Sequence, residues 1–449
     1  MSRMRSRGIL LAVLAVVAVL AVIDGRTLDA SVSKRVSGNL VFWDQSRGFN
    51  VIRANADLFS DISPFWYSID ANGGVLPYTT ASGTTYEDPT ILAFLRAQHI
   101  LVIPTVANIF DGVWDGARVS RILADPVLTA GNVSNLVALA VTNGYDGIDL
   151  DYENLPASDR SAFTNFVDRL AVALHAQGKR LTVNVYAKTA EPGTWDGPKA
   201  QDWAAIGQVV DQVRIMTYEY HWSTSGPGPI SPVTWVSDVL AFARTTIPAQ
   251  KIMQGIPLYG YDWVGQSGVD RVWEDTRALA TQYGATVNWD STSASPWFAY
   301  TANRTTHTVW FENAASVDAK LQVNAAYDVA GVTFWRLGGE DPGTWRALRA
   351  RIGGTGGTVD SVPPTITLSA PLEGAPLLKK QRIEASASDN VGVVRVEFYV
   401  NDGLLATDTA APYVVYWNTR RVPPGTYVIK GVAYDARGNS AAAKVTTFR

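Results

Sequence analysis

Between residues 39 and 348 the chain alternates short strand-like stretches with longer amphipathic ones. Eight of the short stretches are predicted as strands, and several are continuously hydrophobic, as strands covered on both faces require. They span residues 40–43, 62–69, 101–107, 147–152, 181–186, 212–218, 251–258 and 331–335. Helical stretches lie between them, for example 159–177 and 232–246. Eight strands alternating with helices predict an α/β fold, a (β/α)8 TIM barrel at residues 38–352.

The connection between the seventh and eighth predicted strands is too long for a single helix. From about 264 to 330 it contains strand-like stretches at 297–301 and 308–311 and a helical stretch at 316–327. We interpret this segment as a small α+β insertion that forms one wall of a cleft.

The pattern changes after residue 352. Residues 353–364 are predicted as a linker, because they are rich in glycine and end in two prolines. Short alternating strands follow, separated by turn residues such as Asn401-Asp402-Gly403. They span residues 365–369, 381–388, 394–400, 413–417, 426–434 and 443–448. Residues 365–449 are therefore predicted to form an all-β immunoglobulin-like sandwich.

The amino terminus carries arginines at positions 3, 5 and 7, followed by an unbroken apolar run from Ile9 to Ile23. Such a run is short for a membrane span and typical of a secretory signal. Residues 1–30 are therefore predicted as a signal peptide or a retained anchor. Either predicts a secreted or cell-surface protein, which contacts a membrane only if the segment is not removed.

Composition narrows the possible functions. The formal net charge of −3 gives no electrostatic reason to expect a nucleic-acid partner. The chain has no cysteine, which excludes disulfides and thiolate metal sites, and its four histidines share no metal-ligand spacing. We therefore expect no metal and no other cofactor. We also expect a monomer.

The fourth predicted strand carries a row of carboxylates. Residues 146–153 read Asp-Gly-Ile-Asp-Leu-Asp-Tyr-Glu, and alternation along a strand places Asp149, Asp151 and Glu153 on one face. Burying such a row is costly unless its members share protons or find partners. A solvated edge strand could carry it without any function. Because the row directly follows an amphipathic helix that ends at Gly144, we favour an active-site strand.

Aromatic side chains collect at the predicted carboxyl ends of the barrel strands, where active sites of this fold lie. They are Trp43, Trp66, Tyr67, Tyr186, Tyr218, Tyr259, Trp263 and Trp335. Each one alone could be a core residue. As a set around an acidic centre they favour a saccharide site, because sugar rings pack against flat aromatic faces.

Asp146-x-x-Asp149-x-Asp151-x-Glu153 resembles the complete strand-four signature of glycoside hydrolase family 18, the chitinase-like barrels. Met216-Thr-Tyr218 is similar to the family's Met-x-Tyr element, and Trp335 resembles the tryptophan that floors its sugar-binding subsite. Residues 255–263 and 309–312 are most similar to the branch of spore and cell-wall lytic enzymes.

The resemblance implies a retaining glycosidase that cleaves β-1,4 linkages of N-acetylglucosamine-containing glycans, with the acetamido oxygen of the substrate as nucleophile. Glu153 would be the general acid and base. Asp151 would accept the acetamido N–H and share a proton with Asp149, and the Tyr218 hydroxyl would hold the acetamido oxygen. Chitin and peptidoglycan both qualify as the polysaccharide substrate, and the lytic branch favours peptidoglycan.

The resemblance and the strand ends together predict a set of substrate-binding residues. They are Trp335, Met216, Glu219, Tyr186, Trp43, Tyr259 and Trp263. Glu219 departs from the family pattern, since many members carry Asp there. The extra methylene is expected to shift its contact with the sugar.

Two other classes of function stay open. A non-catalytic carbohydrate-binding protein on a chitinase-like barrel typically lacks the acid at position 153 or the one beside it, and both are present here. An adhesion or scaffold protein built around the sandwich would leave the acidic strand unexplained. The sandwich resembles bacterial immunoglobulin-like modules in residues 387–392, 396–400 and 432–439, and such modules serve as spacers or weak wall binders.

Overall fold

The computed structural model describes residues 34–352, 362–389, 393–409, 411–435 and 439–449. The predicted amino-terminal signal or anchor, residues 1–30, lies outside the described residues, and so does most of the predicted linker at 353–364.

Residues 34–352 contain the strands β1 Arg35–Val41, β2 Asp61–Ile69, β3 Val75–Pro77, β4 Leu101–Val102, β5 Thr105–Ala107, β6 Ile109–Phe110, β7 Val113–Trp114, β8 Gly147–Asp151, β9 Arg180–Tyr186, β10 Gln212–Met216, β11 Ile252–Pro257, β12 Gly260–Val264, β13 Ser267–Arg271, β14 Asn288–Asp290, β15 Ser295–Ala302, β16 Thr305–Phe311 and β17 Gly331–Trp335.

The helices of the same region mostly follow the strands. They are α1 Gln45–Ala54, α2 Pro89–Ala97, α3 Gly116–Ala124, α4 Pro126–Thr142, α5 Arg160–His175, α6 Asp196–Lys199, α7 Trp203–Val209, α8 Val233–Thr246, α9 Trp273–Gln282, α10 Ala314–Tyr327 and α11 Gly343–Ile352. Within the described residues no single helix is long and apolar enough to cross a membrane. The pair α3 and α4, bent by 112°, passes that test together.

Eight parallel strand positions close into a barrel, which confirms the predicted fold. The order is β1, β2, β4 with β5, β8, β9, β10, β11 and β17, and β1 pairs with both β2 and β17. The third position is divided because Pro104 lacks the N–H that a continuous ladder would need. Two predicted strands end two residues earlier than expected. β1 stops at Val41 and β10 at Met216, so Trp43 lies in the 3-10 turn Phe42–Asp44 and Tyr218 lies in a loop.

The insertion between β11 and β17 is an antiparallel sheet with the order β13-β12-β16-β15-β14. Its strands extend from Gly260 to Phe311, whereas we expected the insertion at about 264–330. The helix α10, which we had included, belongs to the barrel instead. Its Val317 and Leu321 are buried in the barrel's hydrophobic core.

The carboxyl-terminal domain is an all-β sandwich, as predicted. Its strands are β18 Thr365–Ala370, β19 Lys380–Ser388, β20 Val393–Val400, β21 Gly403–Asp408, β22 Tyr413–Asn418, β23 Thr426–Asp435 and β24 Ser440–Phe448. They form one sheet of β18, β19 and β22 and another of β21, β20, β23 and β24. β21 was not predicted. It pairs with β20 across a turn in which Asn401 and Asp402 have positive φ, as two-residue hairpins require.

The barrel interior contains a buried ion-pair network around Arg214 of β10. The Arg214 side chain has no solvent exposure and pairs with the Asp61 carboxylate and, at 3.2 Å, with Oδ1 of Asp149. Its remaining N–H groups donate to Oγ of Ser63 at 2.5 Å and to Oε1 of Gln212 at 3.1 Å. A buried charge is tolerated only with such partners, so β2, β8 and β10 are joined through one guanidinium.

We expect Arg214→Leu to lower the free energy of unfolding of the barrel by about 3–5 kcal/mol, because Asp61 and Asp149 would become buried charges without a counterion. Denaturant unfolding followed by tryptophan fluorescence would measure the loss. Arg169→Leu, on the exposed side of α5, serves as control and should change stability by no more than about 0.5 kcal/mol. Equal stability of the two variants would contradict this role of Arg214.

Candidate active site

The acidic row lies at the carboxyl end of β8 and continues into the loop that follows. Asn108, at the end of the third strand position, fixes this loop from the side. Its Nδ2 donates to the carbonyl oxygen of Glu153 at 2.9 Å, and its Oδ1 accepts from the Glu153 N–H at 2.8 Å. Asn108 is fully buried, so the backbone at Glu153 has a fixed position. No property of Asn108 in the sequence predicted this contact.

Asp149 is a fully buried carboxylate with hydrogen-bond partners on both oxygens. Oδ2 accepts from the Thr105 hydroxyl at 2.8 Å and from Nδ2 of Asn184 at 3.0 Å. Oδ1 accepts from the Thr182 hydroxyl at 2.5 Å and pairs with Arg214. Arg214 is the counterion of Asp149. The proton sharing between Asp149 and Asp151 stays a prediction.

Asp151 is the next acid along the strand, and it is in a different environment. Its side chain is almost fully buried, and Oδ1 has no hydrogen-bond partner within the described residues. Burial raises the pKa of Asp151 well above its usual value, the charges of Glu153 and Asp149 raise it further, and Arg214 opposes the shift. Asp151 therefore favours its protonated form more than a solvent-exposed aspartic acid does.

Glu153 is the acid nearest the mouth of the barrel. The Tyr186 hydroxyl, at the end of β9, donates to its Oε2 at 2.5 Å. Burial raises the pKa of Glu153 to about 7, the Tyr186 hydrogen bond opposes this shift, and the charge of Glu219 adds to it. A carboxyl group with this pKa can both donate and accept a proton near neutral pH.

Met216 ends the sixth strand, β10, and Tyr218 follows it. In the ladder between β9 and β10, Met216 is the partner of Tyr186, which places it beside the acid. Burial and the charges of Asp151 and Glu153 raise the pKa of Tyr218 well above its usual value, so its hydroxyl remains a proton donor. A Cβ atom at Gly255 would lie 2.8 Å from Cε1 of Tyr218. Glycine at this position therefore makes room for the tyrosine ring.

Glu219 is held by two tyrosines of the insertion wall. The Tyr261 hydroxyl donates to its Oε1 at 2.9 Å, and the Tyr259 hydroxyl donates to the same oxygen. Burial raises the pKa of Glu219, and both hydrogen bonds oppose that rise. Tyr259 is buried, so it positions Glu219 and presents little surface for stacking. Tyr261 was not among the predicted site residues.

A cavity of about 250 Å³ lies beside this group, at the side of the barrel mouth formed by β1 and β17. It is lined by Trp43, Glu219, Tyr259, Tyr261, Asp270, Trp335 and Arg336. The Trp43 and Trp335 rings lie 6.3 Å apart at an angle of 66°, and 49% of Trp43 is exposed. These two rings are the aromatic faces that a sugar could contact here.

Trp263 needs a correction, because we predicted that it binds substrate. Its side chain is fully buried, with 0% exposure, and its indole N–H donates to the Trp222 carbonyl at 3.1 Å. It packs against Tyr261, 5.2 Å between ring centroids. Trp263 therefore supports the insertion wall from behind and does not contact the groove.

The groups at the mouth thus combine a carboxyl acid with a pKa near neutrality, a second buried carboxyl and a phenol. This set suits proton transfer to a leaving oxygen. Among the residues that the structure describes, no group of three or more His, Cys, Asp or Glu side chains could hold a metal ion.

Residues 111–340, which include the acidic strand, Tyr218 and Trp335, match Glycosyl hydrolases family 18. The chain belongs to this family. Residues 364–430 match a bacterial Ig domain. The family assignment makes the protein a glycosidase and implies a polysaccharide substrate.

Similar proteins include both lytic enzymes and chitinases. The chain is 30% identical to the cortical fragment-lytic enzyme of Bacillus subtilis over 278 residues, which cover 60% of this chain and 64% of that enzyme. A chitinase structure from Chromobacterium violaceum matches with 30% identity and a TM-score of 0.66, over 72% of this chain and all of the other. The spore cortex-lytic enzyme SleL of Bacillus cereus matches with 27% identity and a TM-score of 0.65, over 71% and 74% of the two chains.

We expect Tyr186→Phe to raise the pKa of Glu153 above its value of about 7, because the lost hydrogen bond stabilises the charged carboxylate. The acid form of Glu153 would then persist to higher pH, and the basic limb of the pH profile of kcat/KM should move to higher pH. Tyr416→Phe, in the carboxyl-terminal domain, should leave the profile unchanged. A basic limb that stays in place or moves to lower pH in Tyr186→Phe would contradict this assignment.

Proposed function

We propose that this glycosidase hydrolyses β-1,4 linkages after N-acetylglucosamine units with retention of configuration, using the acetamido group of the substrate as nucleophile. The observation that carries the proposal is the unequal state of the three acids. Asp149 is held by Arg214 and three hydrogen-bond donors, and Asp151 is buried with a raised pKa. Neither is a free carboxylate that could attack a sugar, whereas Glu153 has the pKa of a proton donor.

In the first step the acetamido oxygen attacks the anomeric carbon while the bond to the leaving oxygen breaks. Glu153 transfers its proton to that oxygen and becomes a carboxylate. The sugar becomes a positively charged oxazolinium ion, and the departing saccharide carries the proton away. Family 18 thus differs from retaining glycosidases that use two carboxylates.

Asp151 and Tyr218 act on the acetamido group. Oδ1 of Asp151 is buried and has no partner within the described residues, so it can accept the acetamido N–H. This contact orients the group, and the carboxylate form of Asp151 stabilises the positive charge that develops. The Tyr218 hydroxyl, which remains protonated, donates to the acetamido oxygen and keeps it in line with the anomeric carbon.

In the second step water attacks the anomeric carbon from the side that the leaving group vacated. Glu153, now a carboxylate, takes one proton from the water, and the oxazolinium ring opens to restore the acetamido group. The enzyme returns to its starting protonation state. Two displacements at one carbon give a product with the original β configuration.

We further propose peptidoglycan glycan strands as the preferred polymer, with N-acetylglucosamine oligomers also cleaved. The cortical fragment-lytic enzyme and SleL support the first class, and the chitinase of Chromobacterium violaceum supports the second. Action outside the cell is part of the proposal. It is supported by the basic and apolar segment at the amino terminus.

We expect Glu153→Gln to abolish release of saccharides from both N-acetylglucosamine oligomers and isolated peptidoglycan, because the amide cannot donate the required proton. Folding and saccharide binding should be retained, since glutamine keeps the shape of the side chain. Chromatography of released products and calorimetric titration with an oligomer would measure the two properties.

Glu274→Gln, an exposed change on α9, is the matched control and should keep full activity. Activity of Glu153→Gln within a few-fold of the wild type would show that Glu153 is not the acid. A wild-type protein that binds oligomers but releases nothing would favour a carbohydrate-binding protein.

A further inference from the structure

Trp195 is an exposed aromatic residue that the proposed mechanism does not use. It lies in the loop between β9 and α6, at the carboxyl end of the barrel, and 46% of it is exposed. An exposed indole ring is a large apolar surface that a polar loop does not need for folding. Its position beside the acid gives it a candidate role.

Trp195 contacts the residue that binds the acid. Its ring packs edge-on against Tyr186, with 4.5 Å between ring centroids and an angle of 65°. The Tyr186 hydroxyl in turn donates to Oε2 of Glu153 at 2.5 Å. Trp195 is therefore separated from the proton donor by a single tyrosine ring, and nearly half of its surface remains exposed.

The local backbone holds this indole in place. A Cβ atom at Gly197 would lie 2.4 Å from Cη2 and Cζ3 of Trp195 and 2.6 Å from Cε2 of Tyr186. The chain at Gly197 therefore packs directly against both rings, and a side chain there would displace them. A ring that is held before substrate arrives loses little conformational entropy on binding.

The order of the strands shows which side of the acid Trp195 occupies. Around the closed barrel β9 lies four positions from β1, directly opposite it, and β17 is next to β1. Trp43 and Trp335 follow β1 and end β17, so they lie across the mouth from Trp195. Glu153 lies between the two sides, because it contacts Tyr186 of β9 and is close enough to Glu219, which lines the cavity with Trp43 and Trp335, for the charge of Glu219 to raise its pKa.

We propose that Trp195 is the stacking surface for the first sugar of the leaving group. The inference rests on the proposed function, in which Asp151, Tyr218 and Trp335 hold the sugar that reacts. Glu153 delivers its proton to the leaving oxygen, so the leaving sugar lies beyond Glu153 as seen from Trp335. Tyr186 and Trp195 are the aromatic residues that the structure places there.

The test compares two substrates in Trp195→Ala. N-acetylglucosamine hexamer has a leaving saccharide, whereas the oxazoline of the disaccharide has none and requires only the second step. Loss of one aromatic contact should lower kcat/KM for the hexamer about tenfold and leave hydrolysis of the oxazoline unchanged. Trp195→Phe, which keeps a ring, should retain most of the hexamer activity.

Trp289→Ala is the matched control, because Trp289 is also 46% exposed but lies on β14, the edge strand of the insertion. It should affect neither substrate. Unchanged hexamer kinetics in Trp195→Ala would overturn the proposal. So would an equal loss on both substrates with a shifted pH profile, since Trp195 would then act through Tyr186 and Glu153. A wild-type protein inactive on both substrates would instead contradict the proposed function itself.

Discussion

The ion pair between Arg214 and Asp149 is the interaction on which the active site depends. β8 places several carboxylates on one face, and all of them point into a barrel with little solvent. One fully buried guanidinium pairs with Asp149 and also with Asp61 of β2. Burial raises the pKa values of the outer acids, Asp151 and Glu153, and the charges of neighbouring carboxylates add to both shifts. The proposed chemistry uses the raised pKa of Glu153 for proton donation.

The pattern of hydrophobic and polar residues was sufficient to predict the acidic strand and its neighbours in the sheet. β8 lies between β5 and β9 in the parallel sheet, as the order of apolar stretches indicated. The alternation of side chains puts Asp149 and Asp151 on one face because it depends only on the strand geometry, whereas Glu153 lies beyond the end of β8. The same holds for the turn at Asn401 and Asp402, whose residue types favour positive φ.

Contacts between distant elements could not be predicted in this way. Arg214 lies in an apolar stretch 65 positions after Asp149, as the numbering shows, and nothing local indicates that the two pair. Trp263 was misassigned for a related reason. Alternation along β12 puts Trp263 on the same face as Tyr261, and Trp263 is buried by the loop of Trp222, whose carbonyl accepts the indole N–H. The contact from Tyr186 to Glu153 likewise joins two residues 33 positions apart, one at the end of β9 and one in the loop after its neighbour β8.

The central claim is that the glycosidic bond is hydrolysed in two displacements at the anomeric carbon, with Glu153 as the proton donor of the first. Proton NMR of the reducing ends formed in the first minutes of oligomer hydrolysis, before the anomers equilibrate, tests this claim most directly. Two displacements at the anomeric carbon predict that the β anomer appears first. Initial formation of the α anomer would mean that water attacks in a single step, which would contradict the account.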